Sequence, residues 1–447
     1  MPLDSVTARA VLREVDDVAV RLNVLPSSYD GPEVSLPIAQ RRRRRNAGLG
    51  DPVGVASLMV NEDGVLFWHL GDINGVPSGR RRMRRGVPDA PDGEIVELYH
   101  FDKLEPNAVN TLLRKHDADL NDHQGLSELT LKKGGAAGQA VQRSALTVPP
   151  RGKKKRLLFV HGTFSKTEAF FAGMEAMAGG PAGIKTLFRR YDQVLAFDHP
   201  TLSVSPVMNA FDLARLLAGI DGPLDIVAHS RGGLVARWLL DGYGLNGSGP
   251  YRAVLVGSPL AGTSLASPPR LRSALSVMSN FGTALKLSGA AAVVYAPFLS
   301  VPLALLRIAS SVLTLTAKTP IVDAAVTAIA GLHGQSRIAD HPELTRLRAV
   351  KLVRPPEYFV VRSNFETEDP GWRFWRWFRK DTLRDAGSDL VFPGPNDLVV
   401  DTDSMSDIPN VKIAASSVKD FGTTDLVHHT SYFGQPGTLD FILDKLS

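Results

Sequence analysis

Ser230 is the residue best placed to do chemistry in this chain. It lies in Asp225-Ile226-Val227-Ala228-His229-Ser230-Arg231-Gly232-Gly233-Leu234-Val235, where an apolar run ends at a serine and a helical pattern follows. A serine on a tight strand-to-helix turn lifts its hydroxyl above the sheet edge, where it can act as a nucleophile; small-x-Ser-x-Gly is the pattern of such an elbow. The flanking residues must be small because the strained turn presses backbone against backbone. Ala228 stands where the first glycine usually stands, a difference of one methyl group. Upstream, Arg156 to Val160 is an apolar run ending in His161-Gly162-Thr163-Phe164. A loop there can supply a backbone N–H that joins the N–H of Arg231 in an oxyanion hole.

These loops need a scaffold of strands. Arg156 to Val160, Gln193 to Asp198, Leu224 to Ala228 and Tyr251 to Val256 are short apolar runs. Helical stretches at Phe211 to Ala218 and Leu234 to Leu240 alternate with them. Such alternation predicts βαβ units and a mostly parallel sheet.

Four motifs in order, Val160-His161-Gly162-Thr163, Ala228-His229-Ser230-Arg231-Gly232, Gly257-Ser258-Pro259-Leu260-Ala261-Gly262-Thr263 and Pro395-Asn396-Asp397-Leu398-Val399-Val400, resemble the α/β-hydrolase superfamily and, within it, bacterial lipases and esterases. The resemblance spans roughly residues 153 to 447, with an interruption in the middle. It implies an α/β-hydrolase fold in which the order Ser, acid, His places the acid after a late strand and His after the last strand. Glu357 to Arg362 is the late strand expected, and Val411 to Val418 the last. Asp397 is then the acid and His429 the base, with His428 as the alternative. Thr163 and Arg231 are the expected oxyanion donors. Asp389, Asp401 and Asp403 compete with Asp397 for the acid role but read more simply as loop carboxylates. His161 reads as structural to the oxyanion loop, and His229 as packing beneath the nucleophile. The chemistry implied requires no cofactor, and no histidine spacing suggests a metal site.

Composition suits a large core: the 447 residues are 44% hydrophobic. The absence of cysteine excludes disulfides, a thiol nucleophile and thiolate metal ligands. Met1 to Val24 carries Asp4, Arg9, Arg13, Glu14, Asp16 and Asp17 among its charged residues and no uninterrupted apolar core, so no signal peptide is expected there. Cytoplasmic placement, or export by another route, follows as the expectation. Net charge is only +5, yet Arg41 to Arg45, Arg80 to Arg85 and Lys153 to Arg156 are basic clusters. They could hold phosphates of an anionic membrane surface. With no nucleic-acid motif and no interleaved aromatics, nucleic acid is not expected as a partner. Exposed, self-repelling loops are the plainer reading.

Residues 1 to 150 lack the hydrolase motifs and are expected to form a small β-rich domain, with Asn61-Glu62-Asp63-Gly64 as a hairpin turn. Gly134 to Gly138 and Pro149-Pro150 mark the expected linker into a catalytic domain over 151–447. Between about 264 and 350 an Ala-, Leu-, Val- and Ser-rich stretch predicts a helical cap inserted in that domain. Within it Leu287 to Leu306 is uncharged and long enough to raise a membrane span, but Pro297 and Pro302 favour the cap. Trp372, Phe374, Trp375, Trp377 and Phe378 alternate with Arg373, Arg376 and Arg379. This patch suits either a membrane interface or packing beneath the cap.

The expected function is a carboxylic-ester hydrolase working through an acyl-enzyme on lipid or medium-to-long acyl esters. A phospholipase or acyltransferase, such as a delivered effector, would use the same residues. A silent membrane- or partner-binding protein is the reading from another class.

Overall fold

Apolar runs buried on both faces set the architecture, because a strand stays apolar along its length when helices cover both sides of its sheet. The computed structural model describes residues 3–4, 6–11, 24–27, 52–71, 93–102, 108–132, 141–146, 149–245, 247, 249–267, 271–290, 292–313, 329–338, 341–351, 355–372, 374–378 and 391–447. In chain order its strands are β1 (Val24–Ser27), β2 (Pro52–Asn61), β3 (Leu66–Gly71), β4 (Gly93–Asp102), β5 (Gly125–Leu131), β6 (Val141–Ala145), β7 (Gly152–Lys153), β8 (Arg156–Val160), β9 (Gln193–Asp198), β10 (Ile220–Asp221), β11 (Leu224–His229), β12 (Tyr251–Val256), β13 (Glu357–Phe365) and β14 (Val418–Thr424).

The chain divides into two units. One comprises Asp117–Ser267, Ile329–Glu366 and Gly394–Ser447; the other comprises Met1–His116, Pro268–Ala328 and Thr367–Pro393. The division thus falls before β5, earlier than the expected boundary near 150, because β5 and β6 extend the large sheet. Most of the inserted stretch groups with the N-terminal residues. Gly134 to Gly138 and the clusters Arg41 to Arg45 and Arg80 to Arg85 lie outside the described residues.

The first unit is built on an eight-stranded sheet in the order β14-β13-β12-β11-β8-β9-β5-β6. The six strands from β14 to β9 are parallel; β5 runs antiparallel to β9, and β6 to β5. Successive residues of a strand point to opposite faces. Leu157, Phe159 and Val227 accordingly join Phe170, Ile184 and Ile442 on one side. Leu158, Val160, Ile226 and Ala228 join Leu213, Val235 and Leu239 on the other. This mostly parallel, helix-flanked sheet is the α/β-hydrolase fold. From β8 the chain crosses to β9 on one side, and from β11 to β12 on the other, so the strand order reverses between β8 and β11. Ligands of open α/β sheets bind at that reversal, outside the carboxyl ends of the strands.

Two expectations need correction here. The last strand is β14, not Val411 to Val418; Ala415–Ser417 is a single 3₁₀ turn before it. Val411 and Ile413 supplied the apolar signal by packing from a loop onto the core, while no residue of edge strand β14 is buried. The basic cluster at 153–156 is also not wholly a surface feature. Arg156 is 1% exposed, and its guanidinium donates to the Gln193 side chain and to the carbonyls of Gly152, Asp221 and Arg151.

In the second unit an antiparallel sheet, ordered β1-β4-β2-β3, meets helices from the insertion, Leu271–Leu287 and Ala292–Leu313. Asn61 shapes the expected hairpin turn, its side-chain oxygen accepting from the N–H groups of Asp63 and Val65. Strand β3 is an edge, and an uncovered edge leaves polar backbone groups without partners. The helix Leu271–Leu287 fills that role with a polar stripe. Asn280 accepts from the Leu66 N–H (2.9 Å) and donates to the Leu66 carbonyl (2.8 Å). Ser276 accepts from the Trp68 N–H, and Ser279 from its indole. Positions 276, 279 and 280 share one helix face by their spacing. Ala292–Leu313 runs through both prolines. Among the described residues no helix is long and apolar enough to cross a membrane. Within the Trp/Arg patch, Phe374 and Phe378 are buried, Phe378 lies against Phe67, and Trp372 against Phe281.

Candidate active site

Ser230 occupies the turn between β11 and the short helix Gly232–Arg237. Its φ is +54°, a left-handed value that costs a residue with a Cβ about 1–3 kcal/mol. The turn is held from both sides. Ser230 N–H donates to the carbonyl of Val256 on β12, and Gly233 N–H donates to the Ser230 carbonyl. Two glycines leave the room it needs. A Cβ on Gly162 would sit 2.5 Å from Ser230 Cβ, and one on Gly232 would sit 2.2 Å from the Val160 carbonyl oxygen. The loop after β8 and the turn after β11 are therefore in direct contact, at the reversal of strand order.

Asp397 and His429 are brought together. His429 Nδ1 donates to Asp397 Oδ2 at 2.8 Å, and both residues are buried. Asp397 Oδ1 accepts from the N–H groups of Val399 and Val400, while Oδ2 also accepts from the Tyr432 hydroxyl at 3.1 Å. The backbone reinforces the pair, with His429 N–H donating to the Asp397 carbonyl. Although Asp397 follows β13 only after a long excursion, its turn is tied to that strand. Asn396 N–H donates to the Asn364 side chain, and Phe365 N–H to the Asn396 carbonyl.

The neighbouring histidines separate by their contacts. His229 Nε2 donates to the His429 carbonyl at 2.9 Å, and the two ring centres lie 4.8 Å apart. Burial, then the neighbouring His429, pushes its pKa down to about 3, so it is a neutral prop. His428 is likewise pushed by burial to about 3, and its ring packs edge-on to Phe365. It is His429 that hydrogen-bonds to Asp397. With Nδ1 committed there, His429 Nε2 is the ring nitrogen left for a proton. The Ser230 hydroxyl is not among its hydrogen-bond partners; Ser–His contacts of this kind often tighten only with substrate.

His161 is fully buried, its Nδ1 donating to the Gly162 carbonyl and its Nε2 accepting from the His199 N–H. Both ring nitrogens are spent on holding the loop. Thr163 is braced by Gln335, whose amide donates to the Thr163 hydroxyl at 2.9 Å, and Phe164 takes a left-handed φ of +57°. Among the described residues, neither the Thr163 nor the Arg231 backbone N–H meets an acceptor.

The competing carboxylates have other partners. Asp401 accepts from the Ser264 N–H and hydroxyl, Asp403 pairs with Arg337, and Asp389 lies outside the described residues. Sequence reasoning missed Asp117, Thr201, Gln335 and Tyr432. Only Tyr432 left a signal, in the His-small-small-Tyr-Phe pattern; the others are common residue types far away in the chain.

Fold and site together define an α/β-hydrolase-fold protein that gathers a serine, an aspartate and a histidine in the order of that fold. The chain belongs to the DUF7379 family, a domain of unknown function whose model matches residues 130–447. No curated protein matches it. Among solved structures it is similar to EstA from Clostridium botulinum, at 14% identity, covering 76% of this chain and 96% of that one, with a TM-score of 0.38. It is also similar to lipase 1 from Pelosinus fermentans, at 14% identity over 66% and 99% of the two chains and a TM-score of 0.38. A third is Bacillus megaterium epoxide hydrolase, at 12% identity over 66% and 94% and a TM-score of 0.28.

Proposed function

We propose that the protein is a serine hydrolase of carboxylic esters. The observation that carries this reading is the buried Asp397–His429 hydrogen bond beside a strained Ser230 turn. Ser230 Oγ attacks the ester carbonyl while His429 Nε2 takes its proton. The oxyanion of the tetrahedral intermediate accepts from the N–H groups of Thr163 and Arg231. As the C–O bond breaks, His429 returns the proton to the departing alcohol, leaving the acyl group on Ser230. Water, deprotonated by His429, then attacks the acyl-enzyme and frees the carboxylic acid and Ser230. Asp397 holds the tautomer and stabilises the imidazolium.

Lipid or medium-to-long acyl esters are the proposed substrates, on the strength of the long apolar insertion in the sequence. The test is hydrolysis of p-nitrophenyl esters from acetate to palmitate, with Ser230→Ala alongside. Activity abolished in the variant supports the reading, and the best chain length sizes the acyl site. A wild type inactive on the whole series yet labelled at Ser230 by a fluorophosphonate would redirect the proposal to phospholipid hydrolysis or acyl transfer.

A further inference from the structure

The two proposed oxyanion donors come from different loops, after β8 and after β11, and their separation must be fixed closely for both to reach one oxygen. A third loop touches both. After β9, Thr201 accepts from the Phe164 N–H at 3.2 Å, one residue beyond Thr163. Three residues later the Val204 carbonyl accepts from the Arg231 guanidinium. That side chain is fully buried, with Nε and Nη1 unpartnered. Burial lowers its pKa to about 10, which leaves it charged at neutral pH between Asp117 and Glu343.

The loop is held in turn by one carboxylate. Asp117, 2% exposed, accepts from the N–H groups of Thr201 (2.8 Å), Leu202 (2.9 Å) and Ser203 (2.8 Å), and from the Ser203 hydroxyl (2.7 Å). Ordinary loop packing does not need three consecutive amides wrapped on one buried carboxylate. Behind it, Gly331 N–H donates to the Leu202 carbonyl, and a Cβ at 331 would lie 1.9 Å from the Thr201 carbonyl oxygen. The spacing is thus set from three directions.

We infer that the 201–204 loop, clamped by Asp117, is a spacer that sets the distance between the Thr163 and Arg231 N–H groups, with Thr201 and the Arg231 side chain as positioning residues. This rests on the serine-hydrolase reading. Thr201 holds Phe164 through its hydroxyl alone, so the hydroxyl is the part to remove.

The experiment measures the rate at which a fluorophosphonate labels Ser230 in wild type, Thr201→Val and Thr201→Ser, with melting temperatures for each. Thr201→Val keeps the shape and loses the hydroxyl, which accepts from Phe164 and also donates to Asp117 at 3.4 Å, and labelling is expected to slow about 10- to 100-fold. In ester hydrolysis the loss falls on kcat, with KM within about twofold of wild type. Thr201→Ser restores the hydroxyl and is expected to label within about threefold of wild type. Labelling of Thr201→Val at the wild-type rate, or equal slowing in Thr201→Ser, would overturn the spacer. If Thr201→Val does not fold, Asp117→Asn carries the test, with an expected slowing of about 3- to 10-fold and the wild-type rate again overturning it. A wild type that takes no label at all would sink the hydrolase reading and the spacer together. A labelled wild type with indifferent variants would sink the spacer alone.

Discussion

Both units use short polar side chains to hold the backbone of another element, but to different ends. In the Ser230 unit, Asp397 and Asp117 accept from backbone N–H groups of turns proposed to position the reacting groups. In the other unit, Asn280 and Ser276 satisfy the open edge of β3, where a further strand would otherwise pair. The same kind of bond tunes geometry in one place and closes a sheet in the other. Losses in the first unit should therefore appear in rate, and losses in the second in stability.

The sharpest way to break that contrast is Ser230→Ala. Hydrolysis is expected to fall by about 10⁴-fold or more while the melting temperature holds. Ser230→Gly should be as inactive but more stable than Ser230→Ala by about 1 kcal/mol, because glycine accepts the positive φ freely. Thermal or denaturant unfolding of the two variants checks this. Next comes Asp397→Asn, expected to lower kcat by about 10³- to 10⁴-fold through loss of the tautomer and orientation of His429. His428→Gln, outside that pair, is expected to stay within about threefold of wild type in ester hydrolysis. Equal losses from Asp397→Asn and His428→Gln would dissolve the assignment of His429.

On the other side of the comparison, Asn280→Leu leaves the N–H and carbonyl of Leu66 without partners. It should cost about 2–4 kcal/mol of stability and speed hydrogen exchange at the Leu66 amide. An unchanged exchange rate would mean that the helix does not close this edge. The effect of acid accumulates over a range of pH. His229 and His428 have folded pKa values near 3 against an ordinary value of 6.5. Below 6.5 the unfolded chain takes up protons that the fold refuses, so the stability present above 6.5 is lost as pH falls toward 3. Each contributes up to about 1.4 kcal/mol per pH unit in that window. His428→Gln should flatten the fall of melting temperature between pH 6 and 4, and an unaltered slope would contradict the neutral state.

What could be read in advance follows the same divide. The elbow was legible because β11, Ser230 and the helix after it are contiguous, and full burial keeps the strands apolar. The acid turn was legible as a motif, but its attachment to β13 was hidden by the intervening 367–393 excursion, which belongs to the other unit. The last strand was displaced because Val411 and Ile413 bury from a loop. Asp117 and Thr201 could not be found, since a carboxylate that clamps a loop 84 positions away has no local signature. The Ser-rich helix of the insertion read as a cap, although Ser276, Ser279 and Asn280 were its most informative residues. Nothing in a single helix declares that its polar stripe stands in for a strand.

The most direct test of the central claim is peptide mapping by mass spectrometry after the full-length protein is treated with a fluorophosphonate. A single adduct on Ser230, absent in Ser230→Ala and strongly reduced in Asp397→Asn, is the result predicted. No adduct, or an adduct on another residue that persists in both variants, would contradict it.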